Sequence, residues 1–206
     1  RKFGYLMKER MLFTNEERAL LVQKDFFILK KAVTGKLMDL LGRLNDAILV
    51  ENAQFRLLLP EEVFLTAGKI SKGENYRGFP WMVLDSPRIF NKTDVFAFRS
   101  MCWWGNEISF TLHLSGKYKA LIVNPAERLN SLKGHDFFLN VNDTPWEYHF
   151  EETNYLLLNN IIKTDDELNR MNFIKMSKIL PLNNIDDLVK TGSDTYRQLL
   201  NALFNS

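Results

Sequence analysis

The stretch FAFRSMCWWGNEISFTLHLSG, residues 96–116, decides which fold the sequence predicts, because strand-like runs lie on both sides of one short turn. Gly105-Asn106 separates the two runs, and glycine readily adopts the positive φ that tight hairpin turns require. The stretch therefore predicts two neighbouring antiparallel strands joined by a short loop.

Two pairings of this hairpin are compatible with its sequence, and they differ in which side chains share a face. A two-residue loop at Gly105-Asn106 turns Arg99 into a face of apolar side chains. A loop one residue longer places Arg99 opposite His113 on a polar face and gathers the apolar residues on the other. Because an unpartnered arginine in an apolar face costs on the order of several kcal/mol, the second pattern of faces is favoured.

The polar face of that second pattern is the main candidate site. It carries Arg99, Thr111 and His113, flanked by Trp103 and Met101. Arginine supplies a fixed fork of donors, histidine a titratable nitrogen and tryptophan a plane for stacking. This combination predicts a binding face for an anionic or polar ligand; a half-solvated sheet face without a ligand has the same pattern.

Helical patterns precede and follow the strands. Thr14-Asn15-Glu16-Glu17 has the capping-box pattern, and apolar residues recur at helical spacing from Val22 to Ile48. A kink or break is expected near Gly35 or Gly42. Thr144-Pro145-Trp146-Glu147 has the same capping-box pattern, although the alternation through Phe150 favours a strand there. A third capping box at Thr164 predicts a helix to Ile179, and a further helical segment runs from Ile185 to Phe204 with a break at Gly192-Ser193. Pro60-Glu61-Glu62 and Pro125–Arg128 predict two short helices.

Strand period dominates the middle of the chain. Strands are predicted at 81–84, 95–104, 108–114 and 137–141, with a further strand at about 146–150, while Asp85-Ser86-Pro87 ends the first strand. Gly68 and Gly73 are assigned to a loop. The order predicts a single α+β domain over residues 1–206, with helices at about 14–50 and 164–204 around a β-rich middle at about 76–150. Its antiparallel sheet, of four or five strands in about 80–150, packs against both helical segments.

Composition narrows the class of protein. Of 206 residues, 46% are hydrophobic and 13% aromatic, enough for a well-developed core and for aromatic side chains that line a groove. The net charge of +2, with bases interspersed among acids, argues against a nucleic-acid partner. No apolar run reaches the roughly 20 residues of a membrane span. The single cysteine, Cys102, is expected to be buried, and the lack of a disulfide framework predicts a reducing compartment, the cytoplasm.

Two further groups of residues are weaker candidates. Arg77 and Arg88 are predicted near a sheet edge, where they could meet an anionic group. Glu147, His149 and Glu151 alternate along the strand predicted there, and carboxylate and imidazole groups suit several divalent metals. The polar outer face of a strand shows the same alternation, so no metal is predicted from it.

No motif predicts a catalytic residue or a cofactor. The chain has no glycine-rich phosphate loop, no nucleophile elbow and no zinc-binding His-Glu-x-x-His helix. Function is therefore predicted from surfaces rather than from signatures.

Three hypotheses about function follow. The first is a binding domain without catalysis, whose sheet face contacts a polar or anionic small molecule or a protein. The second is an enzyme that acts on an anionic small molecule with His113 or His149 as acid/base near Arg99. The third is a structural homo-oligomer that associates through the amphipathic helices of residues 15–50 and 185–204.

Overall fold

An antiparallel sheet of seven strands dominates the part of the chain that the computed structural model describes, residues 12–205. The strands are Lys69–Tyr76 (β1), Phe79–Phe90 (β2), Val95–Trp103 (β3), Glu107–Ser115 (β4), Phe138–Asn140 (β5), Tyr155–Leu157 (β6) and Phe173–Pro181 (β7). Their order across the sheet is β1-β2-β3-β4-β7-β5-β6. The predicted α+β class with an antiparallel sheet is confirmed, and four or five strands was an undercount.

Six α-helices accompany the sheet in the same described residues. They are Asn15–Leu21 (α1), Lys24–Gln54 (α2), Gly116–Lys119 (α3), Pro125–Asn130 (α4), Asp165–Arg170 (α5) and Leu188–Phe204 (α6), with short 3-10 helices at Glu61–Val63, Leu158–Asn160 and Leu182–Asp187. The capping boxes at Thr14 and Thr164 both form. No helix among these residues combines the length and the apolar character needed to cross a membrane.

The chain divides between Leu37 and Met38 into two compact units. The described part of the first unit contains α1, capped by Thr14, and the first turns of α2, where Phe26 and Phe27 contact each other edge to face. The sheet belongs to the second unit. Residues 1–11 and 206, which the predicted single domain includes, lie outside the described residues, and the single domain stays a prediction.

One face of the sheet is closed by α6 and by the part of α2 that belongs to the second unit. Phe98 of β3 packs against Tyr196 of α6 with ring centroids 4.7 Å apart. The buried Tyr196 hydroxyl donates to Asn52 of α2 at 2.6 Å. A Cβ on Gly192 would lie 2.8 Å from the side chains of Leu44 and Phe110, so α6 crosses the sheet closely at this point. For that reason α6 continues through Gly192. The break that the sequence predicted at this position does not occur.

The opposite face is crossed by residues 141–154, an irregular segment between β5 and β6. A strand was predicted at about 146–150, and that prediction is wrong. The backbone N–H of Tyr148 donates to the Tyr76 hydroxyl at 2.8 Å instead of to a neighbouring strand. Side chain–backbone bonds thus replace a strand ladder and hold this segment over the sheet.

Two strands occupy places where other structure was predicted. β1 contains Gly73, which was predicted to lie in a loop. Glycine fits in this strand because its missing Cβ makes room for the Trp81 indole: a Cβ there would lie 2.6 Å from the ring atoms of Trp81. β7 replaces the second half of the helix predicted to Ile179, since α5 already ends at Arg170. Pairing with β4 and β5 places β7 inside the sheet, and this long-range pairing overrides the local helical spacing.

Two smaller predictions about breaks are also wrong. β2 continues through Asp85-Ser86-Pro87, because the register with β3 shifts between Asp85 and Arg88 and a bulge accommodates a proline that cannot donate to the ladder. The N-terminal helical region is interrupted at Val22-Gln23, whereas α2 continues through both Gly35 and Gly42.

Candidate functional site

The hairpin of β3 and β4 has the predicted faces but a different register. Its three-residue loop is Trp104–Asn106, one position earlier than predicted, so Arg99 pairs with Thr111, and His113 pairs with Ala97. Moving the register by two positions leaves every side chain on its predicted face. Arg99, Thr111 and His113 therefore share the face away from α6, although Arg99 does not stand opposite His113.

Arg99 and Asp85 form a bidentate ion pair at the centre of this face. The Arg99 Nε and Nη2 atoms donate to the two Asp85 carboxylate oxygens at 2.7 and 2.8 Å. The guanidinium also lies 4.8 Å from the ring centre of Tyr148. Burial acts to lower the pKa of Arg99, but the bonds to Asp85 outweigh it and raise the pKa above its ordinary value. The arginine is therefore charged, fixed in direction and largely satisfied.

A cleft of about 540 Å³ opens beside this ion pair. That volume falls in the range of small-molecule sites. Aromatic rings form much of its wall, and Phe90 and Trp146 lie 6.3 Å apart between their ring centres. The residues that line the cleft are Lys69, Ser71, Asn75, Tyr76, Trp81, Val83, Asp85, Arg88, Phe90, Arg99, Met101, Trp146 and Tyr148.

Two basic side chains at the cleft are uncommitted. Lys69 pairs in register with Asp85 across β1 and β2, and Arg88 follows the bulge in β2; both are exposed. Neither side chain forms a hydrogen bond or an ion pair with any of residues 12–205. With Asp85 already engaged by Arg99, the cleft presents two free positive charges beside aromatic rings.

The other predicted residues of this region lie elsewhere. Trp103 is buried, and its indole N–H donates to the Tyr76 carbonyl at 3.1 Å, so it supports the cleft from behind. Arg77 pairs with Glu151 at 3.0 Å and does not line the cleft. Of the six predicted ligand-binding residues, the cleft brings together only Arg88 and Arg99.

Thr111 and His113 lie under residues 141–154, in a buried group that we call the polar patch. The patch also contains Tyr155, Lys175 and Ser177. The Thr111 and Ser177 hydroxyls are hydrogen-bonded at 2.8 Å. The His113 ring contacts Trp146 and Phe173 edge to face, at 6.0 and 5.5 Å. Burial, followed by the charges of Lys175 and Arg99, lowers the pKa of His113 to about 3.

Lys175 is the most unusual residue of the polar patch, since its side chain is fully buried. Its ammonium donates to the backbone carbonyls of Pro145 and Glu147 at 2.8 and 2.5 Å and lies 3.8 Å from the Tyr148 ring centre. Burial lowers the pKa of Lys175 to about 6, with a further contribution from Arg99. The sequence prediction missed this lysine because it lay in a predicted helix, although Phe173, Lys175 and Ser177 alternate as in a strand.

The weak metal candidates are engaged with protein groups. Glu147 accepts from the Tyr76 hydroxyl at 2.9 Å, and Glu151 is the partner of Arg77. His149 is buried and lies 3.5 Å from the Glu151 carboxylate. Within residues 12–205 no group of three or more histidine, cysteine, aspartate or glutamate side chains could hold a metal ion. Cys102 is buried, and burial raises the pKa of its thiol to about 12.

Comparison of the chain with models of protein families, with curated proteins and with solved structures finds no match. The evidence for function therefore comes from the geometry of the cleft and of the polar patch.

Proposed function

We propose that this protein is a binding domain whose cleft takes a small organic anion with a planar, apolar body. The single observation that carries the proposal is the combination of two uncommitted basic side chains, Lys69 and Arg88, with aromatic walls in one cleft of about 540 Å³. Aromatic walls favour a flat apolar body, and the free cations favour a negative group on it.

The fixed ion pair supports a binding function by orienting the ligand. Arg99 has two strong hydrogen bonds to Asp85, so the floor of the cleft is rigid before any ligand arrives. Trp81 packs closely against Gly73 and adds a second preformed surface. A preformed site loses little side-chain entropy on binding, which favours affinity.

The competing hypothesis of an enzyme with a histidine acid/base has less support. None of the three histidines lines the cleft, and neither ring nitrogen of His113 has a hydrogen-bond partner among residues 12–205. A general base must reach the reacting group within hydrogen-bond distance. The cleft thus lacks the group that the enzyme hypothesis assigned to catalysis.

The proposal is tested with 8-anilinonaphthalene-1-sulfonate, an aromatic anion with a flat naphthalene ring system, whose fluorescence rises on binding to apolar sites. Reversal of both free charges, K69E with R88E, is expected to weaken its binding roughly tenfold, since two contacts near 0.7 kcal/mol together equal about 1.4 kcal/mol. Lys72 is the matched control, because it lies on the same strand as Lys69 but on its opposite face. Equal binding by the double variant and the wild type, or an equal loss in K72E, would refute the proposal.

A further inference from the structure

The polar patch has hydrogen-bonding atoms that the closed structure leaves without partners. Neither His113 ring nitrogen finds a hydrogen-bond partner among residues 12–205, and the residue is more than nine-tenths buried. The buried Tyr155 hydroxyl lies close to the Thr111 and Ser177 hydroxyls but has no well-aligned bond to either. An unsatisfied buried polar group destabilises the fold, so an imidazole with both nitrogens unpartnered requires an explanation.

Lys175 lacks an anionic partner in the same place. Its ammonium meets only carbonyl oxygens and aromatic rings, while the Glu147 carboxylate turns to the Tyr76 hydroxyl. Arg99, the other cation that faces the patch, is already matched by Asp85. The patch thus holds a buried amine and an unpartnered imidazole beside the Tyr155 hydroxyl, and among the described residues no carboxylate is hydrogen-bonded to any of them.

The segment that covers the patch, which we call the strap (residues 142–149), lacks helix and strand. Its contacts with the sheet face include the bonds from Lys175 to Pro145 and Glu147, the bond from the Tyr148 N–H to Tyr76, and ring packing at Trp146. The two carbonyl oxygens occupy positions that the oxygens of an anion could fill. These polar contacts replace a backbone ladder, and segments outside the helices and strands of the core open locally at lower cost than the core itself.

We propose that the polar patch is an oxyanion-binding site, for a sulfate, phosphate or carboxylate group, which becomes accessible when the strap lifts. Lys175, which takes up a proton from solvent as the anion binds, donates to the oxyanion together with Tyr155. The His113 ring, which finds no acceptor in the closed structure, donates through N–H. The bound group takes the place of the Pro145 and Glu147 carbonyls. The strap also supplies Trp146 and Tyr148 to the wall of the cleft, but the oxyanion site uses neither Lys69 nor Arg88 and does not depend on the function proposed for them.

The test follows the imidazole NMR signals of the three histidines while sodium sulfate replaces sodium chloride at constant ionic strength. Sulfate does not change its charge near neutral pH, so any change in the histidine signals reflects the protein and not protonation of the anion. The His113 signals are expected to shift saturably, the His135 signals to stay unchanged, and K175M to abolish the saturable shift. Phosphate and acetate arms distinguish tetrahedral oxyanions from carboxylates. No saturable shift with any of the three anions, or the same shift in K175M, would overturn the proposal.

A second variant keeps the proposal testable if K175M does not fold. Y76F removes the hydroxyl that accepts from the Tyr148 N–H and so weakens the strap in its closed position. Loss of about 1 kcal/mol from the closed state raises the open fraction, and the apparent affinity for the bound anion should rise about fivefold. Unchanged or weaker binding in Y76F would show that the strap does not control access. Tyr76 also lines the cleft, so the two proposals are separated by K69E with R88E, which leaves the polar patch intact, and by K175M, which changes no residue of the cleft.

Discussion

The ion pair with Asp85 shows how the charged side chain of Arg99 is tolerated on a mostly buried face of the sheet. Only 22% of the Arg99 side chain is exposed, and 9% of that of Asp85. Removal of one partner from a buried pair leaves a charge without compensation, which costs far more than the pair contributes.

Replacement of Asp85 by asparagine is therefore expected to lower the free energy of unfolding by about 2–3 kcal/mol. Urea denaturation followed by tryptophan fluorescence measures the change. D143N is the control, because Asp143 is exposed and should tolerate the same loss of charge. If D85N and D143N unfold at the same urea concentration, the ion pair does not stabilise the fold.

Lys175 predicts a specific dependence of stability on pH. Its pKa is lowered from 10.5 to about 6 by burial first and by Arg99 second, while Glu147 acts in the opposite direction. His113, Tyr148 and Tyr155 also face it. Between these two values the unfolded chain binds the extra proton, so the free energy of unfolding rises with pH and falls as the pH drops toward about 6.

The measurement compares wild type and K175M in urea between about pH 6.5 and about pH 9. The wild type is expected to gain stability over this range relative to K175M, because methionine has no proton to bind. Parallel profiles for the two proteins would mean that Lys175 keeps its ordinary pKa in the fold.

At the scale of elements, two glycines in helices make a matched pair. A Cβ on Gly192 of α6 would meet Leu44 and Phe110 at 2.8 Å, whereas nothing lies within 4 Å of a Cβ on Gly42 of α2. The first glycine is required by close packing between a helix and the sheet. The second has no packing role, and glycine lowers helix stability relative to alanine.

G192A is expected to destabilise the protein by about 1–3 kcal/mol through overpacking, and G42A to stabilise it by about 0.5–1 kcal/mol. Thermal unfolding followed by circular dichroism at the helix band separates the two effects by their sign. A melting temperature raised by G192A would contradict the close approach of α6 to the sheet.

At the scale of the whole molecule, the first unit exposes more apolar surface than a monomer usually does. Large apolar side chains between residues 12 and 29 are 45–76% exposed; they are Leu12, Phe13, Leu20, Leu21, Val22, Phe26, Phe27, Ile28 and Leu29. Self-association was predicted through the helices of residues 15–50 and 185–204. The apolar side chains of α6 are buried within the chain, namely Leu188, Tyr196, Leu199, Leu200 and Leu203. The exposed apolar side chains of the N-terminal helices are therefore the remaining candidate surface, with a second copy of the chain as the partner, and self-association stays a prediction.

Sedimentation velocity over a dilution series is expected to show association that F27D with I28D abolishes. L57D is the control, because Leu57 is 99% exposed in the second unit and lies outside this surface. A wild-type chain that sediments as a monomer at every concentration would rule out self-association.

What the sequence determined by itself is local. Two capping boxes marked the starts of α1 and α5, because the interacting groups are only three residues apart. Alternation in residues 96–116 settled which side chains of β3 and β4 share a face, although not their register. The physical reason is that capping and alternation depend on residues close together in the chain. The cost of burying Arg99 without a partner then decides which of the two hairpin patterns forms.

Only the tertiary structure decided the position of β7, the close packing of Trp81 on Gly73 and the course of the strap. Each depends on residues far apart in the chain: Lys175 meets Pro145 and Glu147, and Tyr148 meets Tyr76. Such contacts form when the chain closes on itself, and their energies exceed the local preferences that predicted a helix or a loop. The cleft and the polar patch are consequences of this long-range pairing. Residues 96–116 therefore indicated the sheet face on which both lie, but not the residues that surround them.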